Sequence, residues 1–290
     1  MMRISALGGN HRSSPGPWLG VGVRDVPWLI IGLFLFAQIG ASMLQSFVFL
    51  AQDRFRSMYA ALATHTAYLV QPTLVYNLLV FVVIVLGILI GLGKLRLAEL
   101  GLFRANLRRG VLVTLAVWGT VQVLALGSAW LGDAPLRWNP AEQGNGVPFL
   151  IGALVAQLFG NALIEEICFR GFLLTQFLIK LRARYRLSPA QGVVLAVVFS
   201  QLFFALIHVP IRLHQGMSAV SVLASLPETF LFGAFFAALY LRTRNLFVVV
   251  GVHALVDEPT SLTMSPIDPV ALVLGVALLL LWVGRLDGRT

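Results

Sequence analysis

The chain has 290 residues, 58% of them hydrophobic and only 11% charged. A soluble domain of that length needs a polar shell that this composition cannot supply, so lipid is its solvent. The 21 basic and 12 acidic residues give a formal net charge of +9, which headgroup contact and membrane topology explain without nucleic acid, for which no basic, aromatic face stands out.

Residues 1–26, rich in Gly, Ser and Pro, are expected to form a flexible cytoplasmic tail. They do not resemble a signal peptide, because the apolar run that follows is too long for a signal core and ends without a small-residue cleavage site. A window of about 20 apolar residues crosses the hydrocarbon core. On that measure eight spans follow: Trp28–Leu50, Leu74–Leu92, Val111–Leu131, Phe149–Arg170 with an apolar continuation to Leu181, Ala190–His208, Ala219–Leu241, Leu246–Val256 and Val270–Val283. The last two are short. The expected fold is all-α, a polytopic transmembrane helix bundle of about eight spans, with one membrane domain over 27–284 and a tail at 285–290. Thirteen prolines and 27 glycines are compatible with it, since neighbouring membrane helices can satisfy the backbone groups that these residues free.

Sixteen Lys and Arg residues fall before the first span, in the second, fourth and sixth connectors and in the C-terminal tail. The remaining connectors hold four, namely Arg54, Arg56, Arg137 and Arg212, and Arg170 lies inside a span. By the positive-inside rule both termini of this integral membrane protein are cytoplasmic, with the plasma membrane as the site if the source is a prokaryote. A single cysteine, Cys168, excludes an internal disulfide framework and a multi-thiolate metal site.

Ionisable residues inside spans are costly and default to functional candidates. The densest group is Glu165, Glu166 and Arg170, followed by His208 and then by His253 with Asp257. Glu166 and Arg170 are four apart, share a helical face and can pair, which offsets part of the cost of burying both. Glu165 is turned about 100° away and is free to act on something else. His253 and Asp257, also four apart, can point into one cavity. A hairpin of the fourth and fifth spans brings Glu165 and His208 to one depth, because they lie nearly equally far from Arg186. Helical rise puts them ~30 Å from that connector, against ~10–16 Å for His253 from the Arg242–Leu246 turn. A hairpin that projects past the membrane would reconcile the two.

The ordered motifs Glu165-Glu166-x-x-x-Arg170, Phe204-x-x-x-His208 and His253-x-x-x-Asp257 resemble those of the CPBP family of intramembrane proteases, which includes the Rce1-type CAAX prenyl endopeptidases. The resemblance covers about 149–257. It implies a helical membrane protease acting on membrane-associated or lipidated peptide substrates, with Glu165 as the base that activates water and His208 positioning that water. Glu166, Arg170 and Phe204 would organise the site, and His253 with Asp257 would stabilise the oxyanion. The last motif position is Asn or Asp in the family, so Asp257 bears on the charge of the site.

Two mechanisms stay open under this resemblance: a metal-free glutamate protease, or a metalloprotease with zinc on Glu165, His208 and His253. The metal-free reading is preferred because no residue then serves twice. A proton-coupled or ion transporter would also use buried Glu, His and Asp residues, and a non-catalytic bacteriocin immunity or scaffold protein could keep the motifs. His11, His65 and His214 read as interfacial residues and Cys168 as packing. Glu228 either lines the cavity or faces the interface, and Trp28 and Trp282 are interface anchors. Oligomeric state is not legible.

Overall fold

The computed structural model describes residues 22–133, 137–139, 146–185 and 187–283, and the structural statements below concern these residues. The helices are α1 (Trp28–Phe49), α2 (Asp53–His65), α3 (Pro72–Leu92), α4 (Arg104–Leu131) and α5 (Gly146–Arg184). They continue as α6 (Pro189–Leu206), α7 (Val209–His214), α8 (Ala219–Thr243), α9 (Leu246–Asp257) and α10 (Pro269–Val283). Among the described residues one isolated antiparallel bridge, Trp138 to Thr263, is the only extended pairing.

Each expected span coincides with a helix. Six stretches are long and apolar enough to cross a membrane, while α9 and α10 are apolar but only 12 and 15 residues long. Outward faces carry Leu29, Phe36, Val123 and Leu231, all exposed, as a bundle solvated by lipid requires. The additional helix α2 lies between the first two spans, in the connector that holds Arg54 and Arg56, and its Arg56 pairs with Asp53.

Proline sets two of the helix ends that matter. The ring of Pro210 is incompatible with a helical carbonyl four residues earlier, and α6 ends at Leu206. Pro259 drives the residue before it out of the helical region, and Glu258 has φ −142° and ψ 88°, so α9 stops at Asp257. At the other end of α9, Arg244 takes a left-handed C-cap at φ 51° and Asn245 Oδ1 accepts the Phe247 N–H at 3.0 Å. That tight turn sends α9 straight back into the bundle.

Every α9 residue from Leu246 to Val256 is buried except Phe247, which is partly so. Its main partner is α4, followed by α5, α10 and α8. Two glycines let α4 and α9 close on each other: a Cβ on Gly110 would meet Phe247 Cβ at 2.3 Å, and one on Gly251 would meet Thr114 Oγ1 at 1.7 Å.

The depth problem posed by the sequence has a geometric answer. A Cβ on Gly171 of α5 would lie 2.3 Å from the Leu100 carbonyl, and one on Gly101 would touch the Tyr240 hydroxyl and Leu246. Gly171 is therefore level with the α8–α9 turn, and Arg184 lies ~20 Å further along α5. The α5–α6 hairpin projects past that level. Residues 22–26, within the segment expected to be a flexible tail, are docked on this projection. Val26 N–H donates to Gln176 Oε1 at 3.0 Å, Gln176 Nε2 donates to the Arg24 carbonyl at 2.9 Å, and Lys180 pairs with Asp25 at 2.6 Å. The expected tail segments 1–21 and 285–290 lie outside the described residues.

Candidate functional site

The site is built where α5 changes its winding. Ala156–Ala162 and Ile167–Leu174 are π-helical, and the α-helical turn Leu163–Glu166 between them carries both glutamates. Wide turns of this kind recur at functional sites because an inserted residue re-aims the side chains around it.

Glu166 and Arg170 are fully buried and paired, as their spacing predicts, with Arg170 Nη1 3.0 Å from Glu166 Oε1. Arg170 Nη2 donates to the Gly233 carbonyl of α8 at 3.0 Å. The guanidinium lies over the rings of Phe204, at 4.6 Å, and Phe236, at 5.5 Å. Phe204 is thus an aromatic wall for a buried cation, a favourable contact when both partners are desolvated.

Two glutamates flank the imidazole of His253, one at each nitrogen. Nδ1 is 2.7 Å from Glu166 Oε1, the oxygen that Arg170 also holds, and Nε2 is 3.7 Å from Glu165 Oε2 and 3.5 Å from Asp257 Oδ2. Its ring stacks on Phe236 with centroids 4.3 Å apart. The side chains of Glu165 and Asp257 keep 17% and 28% of their surface accessible, against 0% for Glu166 and Arg170. Adjacent glutamates on one helix therefore differ in kind: one is locked into the core and the other faces the opening. Glu165 Oε2 has no hydrogen-bond partner among the described residues.

His208 joins this network through Phe204. Its Nδ1 is 2.7 Å from the Phe204 carbonyl, and since a carbonyl only accepts, Nδ1 carries the proton and donates. In the neutral ring Nε2 is then the lone-pair nitrogen. The His208 ring stands edge-on to Phe204 at 4.8 Å, and that ring in turn is 5.1 Å from Phe169.

Three contributors were not singled out from sequence. Asn161 Nδ2 donates to Asp257 Oδ2 at 2.9 Å, Phe236 stacks on His253, and the Gly233 carbonyl caps Arg170. Asn161 was legible in principle, being a polar residue in an apolar run four positions before Glu165. Phe236 and Gly233 give no local signal, because α8 is apolar along most of its length.

Among the described residues no group of three His, Cys, Asp or Glu side chains is gathered so as to hold a metal ion. His65 and His214 stand apart from the network, with His214 against Phe47. His11 lies outside the described residues. Cys168 is buried, Glu228 is exposed, and Trp28 and Trp282 are exposed at helix ends.

Residues 147–257 match the family model described as "Type II CAAX prenyl endopeptidase Rce1-like". The matched segment holds all three motifs, which bears out the resemblance read from them. No curated protein and no solved structure matched the chain.

Proposed function

From the premise that residues 147–257 form an Rce1-like segment, we propose that this membrane protein hydrolyses peptide bonds of membrane-associated or lipidated substrates with a water activated by Glu165. One observation carries the reading. Of the two adjacent carboxylates, only that of Glu165 is accessible, with 17% of its side-chain surface exposed, while Glu166 is fully buried and held through Oε1 by Arg170 and His253.

In this mechanism Glu165 takes a proton from water as general base, and His208 Nε2 accepts the second O–H, which fixes the direction of attack. The hydroxide adds to the scissile carbonyl. His253 Nε2–H donates to the resulting oxyanion, a role that needs the imidazolium form because Nδ1–H is bound to Glu166. The surrounding carboxylates of Glu165, Glu166 and Asp257 supply its counter-charge. As the tetrahedral centre collapses, Glu165 returns its proton to the leaving amine. Glu166, Arg170, Phe204 and Phe236 hold the imidazole in place, and Asn161 holds Asp257. No step requires a metal.

Purified protein in lipid should cleave a prenylated peptide ending in a C-a-a-X box, and Glu165→Gln and His208→Ala should each lower turnover by about 10²-fold or more. Near-native turnover by Glu165→Gln would sink the base assignment. Stoichiometric zinc in active protein, with activity lost on chelation and restored by zinc alone, would overturn the metal-free mechanism.

A further inference from the structure

Arg212 lies near the end of the apolar stretch Pro189–His214, in the last turn of the short helix α7. Its side chain is half-buried and held across to α8: Nη1 donates to Ser225 Oγ at 2.7 Å and Nη2 to Thr229 Oγ1. These bonds use two of the five N–H donors of a guanidinium. The ion pairs found among the described residues do not include it. Arg170 and His253 of the site are each matched by a carboxylate, whereas Arg212 is held only by neutral hydroxyls.

Its position is defined from two directions. Ser225, Thr229 and Gly233 recur at four-residue spacing on one face of α8, and the Gly233 carbonyl is the one that receives Arg170. Thr229 is one turn, ~5 to 6 Å, beyond it. On the other side Arg212 follows His208 by four residues, and its backbone N–H donates to the His208 carbonyl at 3.3 Å. The first route places the guanidinium one to two turns, ~5 to 11 Å, past the contact of Arg170 with Gly233, and the second places the Arg212 backbone one turn past His208.

We propose that Arg212 anchors the free C-terminal carboxylate of the peptide substrate. The inference rests on the endopeptidase reading above and adds to it the element that measures the length of the tail. The C-a-a-X box stands at the very end of its protein, so attack of the Glu165-activated water on the carbonyl of its cysteine would leave three residues on the far side of the scissile bond. Three extended residues span ~10 Å, which matches the distance from the network to the guanidinium. A carboxylate carried into an apolar bundle needs a cation to offset its lost hydration, and the planar fork of arginine meets it with two parallel hydrogen bonds. Ser225 and Thr229 orient the fork without neutralising it.

The test uses the full chain in nanodiscs and a fluorescent prenylated peptide ending in a C-a-a-X box, made once with a free carboxylate and once with a terminal amide. Binding is measured on the Glu165→Gln background, so that it does not depend on turnover, and cleavage is measured on the native background. The carboxylate form should bind roughly tenfold or more tightly than the amide, the size of one charge-assisted interaction. In Arg212→Gln, which keeps N–H donors for Ser225 and Thr229, that ratio should fall to near one, and Arg212→Lys should restore part of it. Equal binding of the two forms by the Glu165→Gln chain, or an undiminished ratio in Arg212→Gln, would overturn the anchor and leave Arg212 as a clamp between α7 and α8. Selective binding without any cleavage by the native chain would instead count against the endopeptidase reading while supporting the anchor.

Discussion

At the scale of single residues, the site works by giving chemically identical groups different surroundings. Glu165 and Glu166 are neighbours in sequence, yet 100° of helical rotation sends one to the opening and the other to a buried cation and an imidazole. Asp257 shows the same logic in miniature: its Oδ2 accepts the Asn161 amide at 2.9 Å, which fixes a carboxylate that would otherwise be free to swing into the site. Replacing that donor by an acceptor should be costly. Asn161→Asp places two carboxylates against each other and should reduce kcat/KM by about tenfold or more, whereas the exchanged pair Asn161→Asp with Asp257→Asn restores a donor facing an acceptor and should recover much of the loss. Steady-state cleavage by the three variants checks this, and a pair no better than the single variant would show that the hydrogen bond does not position Asp257. Cys168 lies three residues after Glu165 but is fully buried. Cys168→Ala should keep turnover and lose only about 1 kcal/mol of stability or less, the size of a small cavity.

Elements matter through how closely they approach. The site depends on α9, which carries His253 and Asp257 and is seated on α4 by a reciprocal fit: Gly110 receives Phe247 and Gly251 receives Thr114. Small residues at such crossings let membrane helices pack at short range, where dispersion rather than hydrophobic exclusion supplies the attraction. Thr114 is not free to yield, since its Oγ1 donates to the Gly110 carbonyl at 2.8 Å. Gly251→Val should therefore push α9 off α4, lowering stability by about 1–3 kcal/mol and displacing His253, two residues further on. Gly119 of α4 has nothing within 4 Å of where its Cβ would be. Gly119→Ala is the matched control and should be neutral or slightly stabilising. Proteolytic susceptibility in detergent, read beside turnover, separates the two, and equal behaviour of both variants would argue against the interlock.

On the scale of the molecule, charge and shape point the same way. Sixteen basic residues against four favour one side, and the projecting α5–α6 hairpin belongs to that side with Lys180, Arg182 and Arg184 near its tip. Both termini and the connectors around Arg104 and Arg182 are then expected in the cytoplasm. Cysteine-accessibility labelling on a Cys168→Ala background tests it. Arg104→Cys should react with a membrane-impermeant thiol reagent only after the cells are opened, and labelling from outside intact cells would reverse the assignment. In that orientation the Arg212 guanidinium would lie farther from the cytoplasm than His253.

Composition and the length of the apolar runs were enough to determine an all-helical membrane protein and eight of its ten described helices, the exceptions being the short α2 and α7, because a bilayer admits few ways to satisfy a buried backbone. The charged positions that interrupt those runs singled out Glu165, Glu166, Arg170, His208, His253 and Asp257 as candidates, since lipid makes each of them expensive. The spacing of Glu166 and Arg170 even fixed their pairing, a contact within one helix. What the sequence could not determine were contacts between helices: Glu166 at His253 Nδ1, Phe236 on its ring, the Gly233 carbonyl on Arg170 and Asn161 at Asp257. Residues 87 and 96 positions apart meet only when α9 is seated against α5, and that seating rests on backbone approach at glycines far from any charged residue. Tertiary packing also decided depth. Helical rise counted from either connector gave conflicting levels, and the contact of Gly171 with the Leu100 carbonyl resolves them by letting the α5–α6 hairpin run past the α8–α9 turn.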